Sequence, residues 1–249
     1  EPHRAAAWFA RMTGERVRVN AKTYGKLIEA AAKAADVDEA ARWLDLMEEH
    51  FGLDLVSMST MLDACARAGR PGDAAAWIAR IRDALLQPNT LQFNSVINAY
   101  ARVGDLGGAE AWFRQMASSA VPPNAITFNS MVNACAQATR PADAELWVQR
   151  MRAAALRPSG NTYGSLVNAY AEGGRAGDAV AFLQRLVAES EVRDLALFNS
   201  ALKACAREAQ ADAAVRVLDA IAAASLQPDA LTCSSAVSAV AASSGPDAA

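Results

Sequence analysis

Apolar residues along this chain fall at helical spacing. Phe93, Val96, Ile97 and Tyr100 sit at i, i+3, i+4 and i+7, and Ala109, Trp112, Phe113 and Met116 repeat that spacing. Each set draws one stripe along an amphipathic α-helix. The segment around Gly104 breaks the first helix from the second. Pro71 and Pro141 fall near the starts of second helices, where a missing N–H costs little. Pro88, Pro123, Pro158 and Pro228 lie where second helices must already have stopped. No alternating, period-two pattern is visible, so the chain is predicted to be all-α.

The helix pairs recur at a fixed period. The string aromatic-Asn-Ser appears in "LQFNSVINAYARVG", "ITFNSMVNACAQAT" and "LALFNSALKACARE". Its register runs through Tyr24, Met58, Phe93, Phe128, Tyr163, Phe198 and Cys233, with steps of 34 once and then 35 five times. The short step comes from "EEHFGLDL". An alanine recurs at Ala5, Ala40, Ala74, Ala109, Ala144, Ala179 and Ala214. All five tryptophans share one position: Trp8, Trp43, Trp77, Trp112 and Trp147, continued by Phe182 and Val217. Met12, Met47, Ile81, Met116, Met151, Leu186 and Ile221 follow in phase. A lone hairpin cannot cover both of its apolar stripes, so neighbours must stack. The expected architecture is an α-solenoid superhelix of antiparallel helix-turn-helix repeats of about 35 residues. The small alanine admits close helix approach, and the Trp and Met registers fill the volume between hairpins.

The repeats are expected at 21–54, 55–89, 90–124, 125–159, 160–194 and 195–229. Residues 1–20 read as the end of an incomplete unit, and 230–249 as a further first helix with a frayed end. Neither end supplies an obvious polar cap, and the chain lacks an initiating Met. The natural protein is therefore expected to be a processed or partial form of a longer one.

Composition leaves this picture intact: 53% apolar and 20% charged residues suit a folded chain. No apolar run reaches the ~18 residues of a membrane span, and no membrane insertion is expected. The net charge of −3 cautions against a polyanionic partner. Its distribution matters more. The residue after each aromatic opens a polar stripe on the first helix: Gly25, Glu29, Lys33; Ser59, Asp63, Arg67; Asn94, Asn98, Arg102; Asn129, Asn133, Gln137; Gly164, Asn168, Glu172; and Asn199, Lys203, Arg207. These stripes hold five cations against three anions, leaving the remainder of the chain at −5. A one-sided polar stripe on a stacked helix must face solvent or a ligand. The small excess predicts modest affinity for nucleic acid and a shallow salt dependence.

The string "TLQFNSVINAYARVGDLGGAEAWFRQMASSAVPPN" is similar to the consensus of the pentatricopeptide repeat family, and the resemblance covers about residues 5–242. The even spacing resembles the plain P-type subclass. The tetratricopeptide alternative is disfavoured, because its 34-residue period occurs once and the aromatic-Asn string is not its signature. The resemblance implies a single-stranded RNA partner read at about one base per repeat, and residence in a mitochondrion or chloroplast. It implies that base choice lies with the residue after the aromatic and the last residue of the same repeat, whose amide and hydroxyl groups pair with base edges. Ser59 with Asn89 then resembles an adenine reader, Asn94 with Asn124 a pyrimidine reader, Asn129 with Ser159 a cytosine reader and Asn199 with Asp229 a uracil reader. Val56, Leu91 and Ile126, and more weakly Ala196, would flank the bases. Lys33, Arg67, Arg102 and Arg207 would meet the phosphates. Two units depart from the pattern. Gly25 and Gly164 offer no reading side chain, their flanking positions hold Lys22 and Asn161, and Asp54 and Asp194 lack a partner. The implied address is N-A-(C/U)-C-N-U.

No catalytic constellation appears. His3 and His50 lie in unrelated contexts, the deaminase signature is absent, and neither enzymatic activity, a cofactor, a metal nor a small-molecule substrate is expected. Cys65, Cys135, Cys205 and Cys233 read as small core residues. The tryptophan register reads as core packing. Glu48–Glu49 and Glu189–Glu191 read as solvated surface. Three functions compete. One is an RNA adaptor for organellar transcripts, acting in stability, processing or translation. The second is a structural subunit of an organellar ribosome or other assembly, held by protein contacts. The third is an RNA-processing enzyme whose catalytic domain lies elsewhere.

Overall fold

The computed structural model describes residues 2–189 and 194–243, so the acidic residue Glu191 lies outside the described residues. Among the described residues there are fourteen helices and no strand. In order they are α1 (Pro2–Gly14), α2 (Ala21–Lys33), α3 (Val37–Phe51), α4 (Leu55–Ala68), α5 (Pro71–Asp83), α6 (Thr90–Arg102), α7 (Leu106–Ser118), α8 (Ala125–Gln137), α9 (Pro141–Ala153), α10 (Gly160–Glu172), α11 (Ala176–Ala188), α12 (Leu195–Arg207), α13 (Ala211–Ala223) and α14 (Ala230–Ser243). The 34-residue step reflects α3, which runs on to Phe51 where most other second helices stop after 13 residues.

Each start and stop has a local cause. The first helices are N-capped by Asn20, Asp54, Asn89, Ser159 and Asp194, whose side chains accept backbone N–H groups that the helix itself leaves unpaired. Asn124 and Asp229 do the same for α8 and α14. Second helices are capped less uniformly: Asp36 and Asp105 cap by side chain. Arg140 and Arg175 instead reach the carboxylates of Asp143 and Asp178 at 2.6 Å. Nearly every helix stops through one device, a left-handed residue followed by an N–H bonded five residues back. Gly69 (φ 66°) closes α4 this way, with Arg70 N donating to Cys65 O at 2.9 Å. Leu85, Ala120, Ala155 and Ser225 hold the same conformation without glycine's freedom.

The chain divides into two compact units, residues up to Ser130 and residues from Met131 onward. In the first, α2 packs on α3 and α4, and α4 on α5 and α6. In the second, α10 packs on α11 and α12, α12 on α13 and α14, and α11 on α13. The period registers form the core. Tyr24, Met58, Phe93, Phe128, Tyr163 and Phe198 are buried, as are the alanines from Ala40 to Ala214 and the Met47-to-Ile221 register. Ion pairs cross between neighbouring second helices, for example Arg80 to Asp45 at 2.8 Å and Arg185 to Glu145 at 2.6 Å. At their exposure each contributes at most about 1 kcal/mol. Burial of the three sequence registers, not surface charge, holds the hairpins together.

Two expectations need correction. Cys65, Cys135 and Cys205 are buried, but Cys233 is exposed. Among the described residues no second helix follows α14 to cover it. The tryptophans are also less uniform than a core register implies. Trp147 is buried, Trp43, Trp77 and Trp112 are half-buried, and Trp8 is exposed. Arg11, Arg80 and Arg150 lie over the rings of Trp8, Trp77 and Trp147 at 5.3, 4.8 and 4.6 Å, so this register carries a cation–π layer at its outer edge.

Candidate nucleic-acid interface

The polar stripe begins in the first turns of the first helices, and capping builds it. The last residue of one sequence repeat is the N-cap of the next first helix. At Asn124 and Asp229 that side chain stands beside the stripe residue of the preceding first helix. Asn124 Oδ1 accepts from Ile126 N at 3.0 Å and Thr127 N at 3.1 Å. That same oxygen accepts from Asn94 Nδ2 at 3.1 Å, and Thr127 Oγ1 donates to Asn94 Oδ1 at 2.6 Å. Asn199, Asp229 and Thr232 repeat the arrangement. Asn199 Nδ2 donates to Asp229 Oδ1 at 3.4 Å, Thr232 N to Asp229 Oδ1 at 2.7 Å, and Thr232 Oγ1 to Asn199 Oδ1 at 2.7 Å. Thr232's backbone and hydroxyl, ahead of Asn199, hold the Asp229 carboxyl below the usual carboxylate range.

The stripe was expected to face outward, yet Asn94 and Asn199 are only 5% and 9% exposed. The threonine of the next first helix closes over each amide. The atoms left over belong to the closing residues. Among the described residues, Asn124 Nδ2 donates to nothing and Asp229 Oδ2 accepts from nothing. One is a spare donor and the other a spare acceptor at equivalent places.

The Ser59 and Asn89 pair is built differently. Ser59 Oγ donates to Leu55 O at 2.6 Å and accepts from Gln92 Nε2 at 2.6 Å, while Gln92 Oε1 accepts from Asn89 N at 2.9 Å. Gln92 thus bridges the two. Asn89 is exposed with Oδ1 bonded to Leu91 N at 2.8 Å. Asn129 is half-buried on α8, and Ser159 is exposed at the start of α10, where it shares a capping box with Thr162. Gly25 and Gly164 are half-buried, with Lys22 and Asn161 exposed beside them.

One residue into each of these helices, Val56, Leu91 and Ile126 are 76%, 56% and 60% exposed. Bare aliphatic surface at the mouth of each polar pair is what an unstacked base can lie against. A groove of about 330 Å³ between α2 and α4 is lined by Glu29, Lys33, Ser59, Asp63 and Arg67 among others. Its cations are not idle. Lys33 pairs with Glu29 at 2.8 Å, Arg67 with Asp63 at 2.7 Å, and Arg207 with Glu172 at 3.1 Å. Glu29 also takes Lys26 at 2.7 Å, and the two ammonium groups hold its carboxyl down to about 2. Arg102 and Lys203 are exposed and form no ion pair among the described residues. The stripe's excess of two positive charges therefore resides in these two side chains.

No group of three or more His, Cys, Asp or Glu among the described residues is placed to hold a metal ion, and no helix there is long and apolar enough to cross a membrane.

Three family descriptions match the chain: "PPR repeat family" over residues 88–137, "Pentatricopeptide repeat domain" over 49–102, and "PPR repeat" over 22–50, 126–154 and 161–190. Together they span well over half of it. No curated protein sequence matches significantly. Among solved structures, the pentatricopeptide repeat protein PPR10 in complex with an 18-nt psaJ RNA element aligns over 95% of this chain at TM-score 0.51 and 19% identity. The chain spans 40% of that protein. The PPR domain of Arabidopsis thaliana protein-only RNase P 1, in complex with tRNA, aligns over 70% of this chain and 91% of its own at TM-score 0.54 and 21% identity. Nuclear proteinaceous RNase P 2 from A. thaliana aligns over 68% of this chain and 38% of its own at TM-score 0.53 and 16% identity. At these identities the likeness is one of fold, an all-α helical-repeat solenoid.

Proposed function

The chain belongs to the pentatricopeptide repeat family, and from that membership we propose that it is a non-catalytic, P-type, single-stranded RNA-binding protein of organellar transcripts, reading about one base per helix pair. The observation that carries this is the spare atom on the closing residues Asn124 and Asp229. Cytosine and uracil differ at ring N3, a bare acceptor in one and an N–H donor in the other. The free donor of Asn124 complements cytosine N3 or a pyrimidine carbonyl, and the free acceptor of Asp229 complements uracil N3–H. The buried amides of Asn94 and Asn199 hold those atoms in place. Cytosine at Asn129 with Ser159 and adenine at Ser59 with Asn89 rest on the family resemblance. Val56, Leu91 and Ile126 support the bases from the side. Solved relatives carry RNA, an 18-nt element in one and tRNA in another.

In-vitro selection from a random RNA pool tests the proposal. Enrichment of A-pyrimidine-C-N-U is expected, lost at one position on Asn129→Ala. No enrichment at low salt sinks it. One observation favours a second reading, a scaffold subunit docked by protein contacts: Lys33, Arg67 and Arg207 are spent on stripe carboxylates. If only Arg102 and Lys203 meet phosphates, affinity falls with salt at a log–log slope of about −1.4. Absence of any RNA affinity, with the solenoid intact, favours the scaffold.

A further inference from the structure

The geometry points to a positioning residue for base choice that lies outside the unit that reads the base: the residue just before the aromatic of the following first helix. This deepens the reading above and rests on it. The register holds Thr23, Ser57, Gln92, Thr127, Thr162, Leu197 and Thr232, each the third residue of its helix. Gln92, Thr127 and Thr232 are buried, and each hydrogen-bonds the stripe residue of the preceding first helix. The pairs are Gln92 with Ser59 at 2.6 Å, Thr127 with Asn94 at 2.6 Å and Thr232 with Asn199 at 2.7 Å.

The hydroxyl does more than fill space. Thr127 Oγ1 accepts from Asn124 N at 3.0 Å, which turns its single proton away from that N–H. Two acceptors compete for the proton, Asn94 Oδ1 at 2.6 Å and Asn124 Oδ1 at 3.2 Å, and the nearer one takes it. Asn94 therefore keeps its oxygen toward Thr127 and its nitrogen toward Asn124. Flipped, the amide would set oxygen against Asn124 Oδ1, whose position two backbone N–H groups fix. Without the hydroxyl a buried carbonyl would lose its partner, and the amide would turn to find another. Thr232 does the same for Asn199, with Asp229 Oδ1 competing at 2.8 Å.

Of the two units expected to be blank, the one at Gly164 shows the reverse pattern; the one at Gly25 has Ser57 in the register, with its hydroxyl donated to Asp54 Oδ2 at 2.8 Å. Beside Gly164 stands Leu197, which is buried and has no proton to offer. A Cβ on Gly164 would lie 3.4 Å from Leu197 Cδ2, in van der Waals contact, so a reading side chain there would meet an aliphatic neighbour and no hydrogen-bond partner. Asp194 caps α12 as Asp229 caps α14, with Oδ1 accepting from Ala196 N at 3.0 Å. Only the stripe residue and its positioning residue are missing. Supplying both reproduces the set Asn199, Asp229 and Thr232.

The test is selection from a random RNA pool by the 249-residue chain and its variants, each checked by thermal unfolding. Thr127→Val should weaken base preference at its one position at least about fivefold, leaving the other positions alone, and Thr127→Ser should restore it. Gly164→Asn with Leu197→Thr should create a uracil preference at the corresponding position, whereas Gly164→Asn alone should not. That gain cannot come from misfolding. Preference lost on Asn94→Ala but intact in Thr127→Val overturns the inference while leaving the RNA reading standing. So does a gain from Gly164→Asn alone equal to that of the double variant. No enrichment by the parent chain removes both.

Discussion

Asn124→Asp isolates the atom on which the functional reading depends. Asn124 Oδ1 is anchored by Ile126 N, Thr127 N and Asn94 Nδ2 at 3.0 to 3.1 Å, so an aspartate keeps all three bonds through one of its oxygens. Asp and Asn cap equally well, and a negative charge at the start of α8 adds about 0.3–1 kcal/mol of stability. The fold should be unchanged or slightly firmer. What changes is the outward atom, from a donor to an acceptor. Against cytosine N3 the variant loses a hydrogen bond of about 1 kcal/mol, and against uracil N3–H it gains a charge-assisted one of about 1.5–3 kcal/mol. The site is partly open to water, so the low end applies. The cytosine-to-uracil ratio should swing by the sum of the two, about 2.5 kcal/mol, roughly seventyfold. Anisotropy titrations with two RNA oligonucleotides differing at that base measure the ratio, with thermal melts alongside. A ratio unchanged within about twofold, at retained affinity, would refute the claim that this atom faces the base. A drop of several degrees in Tm would refute the capping argument.

Leu85 holds φ 57° with its side chain in solvent, so Leu85→Gly should stabilise by about 0.5–1 kcal/mol in urea melts, and Gly69→Ala, at φ 66°, should cost about 1 kcal/mol. A loss of stability in Leu85→Gly would mean the turn draws on the leucine. Burial pushes the Cys65 and Cys205 thiols up to about 11, whereas Cys233 is exposed. Iodoacetamide on the native protein should modify Cys233 and spare the three buried cysteines, Cys65, Cys135 and Cys205, and equal labelling would contradict the packing. The Glu29 carboxyl, lowered from 4.5 to about 2 by Lys26 and Lys33, contributes stability in full above pH ~4.5 and loses it as pH falls through about 2. An NMR carboxyl titration should place its midpoint near 2; a midpoint in the ordinary range would show the ion pairs open in solution.

The period made the helices and most of the core legible. The alanine register is unbroken, and the aromatic and methionine registers admit only other apolar residues. A residue that recurs at a near-constant spacing of 35 positions in a stacked hairpin meets the same neighbours each time. Cys233 and Trp8 escaped that logic because their burial depends on a neighbouring layer and not on their own register. The burial of Asn94 and Asn199 escaped it for another reason. A helical wheel puts both on the polar face, but the atoms that cover them come from Thr127 and Thr232, 33 residues on. The signal lay in the column Gln92, Thr127, Leu197, Thr232, which matters only once adjacent first helices are seen to share it. Charge counting likewise gave the right excess but not its location. Pairing of Lys33, Arg67 and Arg207 concentrates it on Arg102 and Lys203.

The closing residue of each unit answers to two demands at once, since the side chain that would recognise a base also starts the next helix. Its permitted alphabet is therefore the short list of good capping residues: Asn, Asp, Ser and Thr. Any other residue but glycine there costs about 1 kcal/mol of stability before recognition is considered. Exchanges within the list are nearly free for the fold, yet they trade a donor for an acceptor at the surface. Mutational drift can rewrite such an address one letter at a time without passing through an unstable intermediate, and a designer retargeting the chain inherits the same freedom.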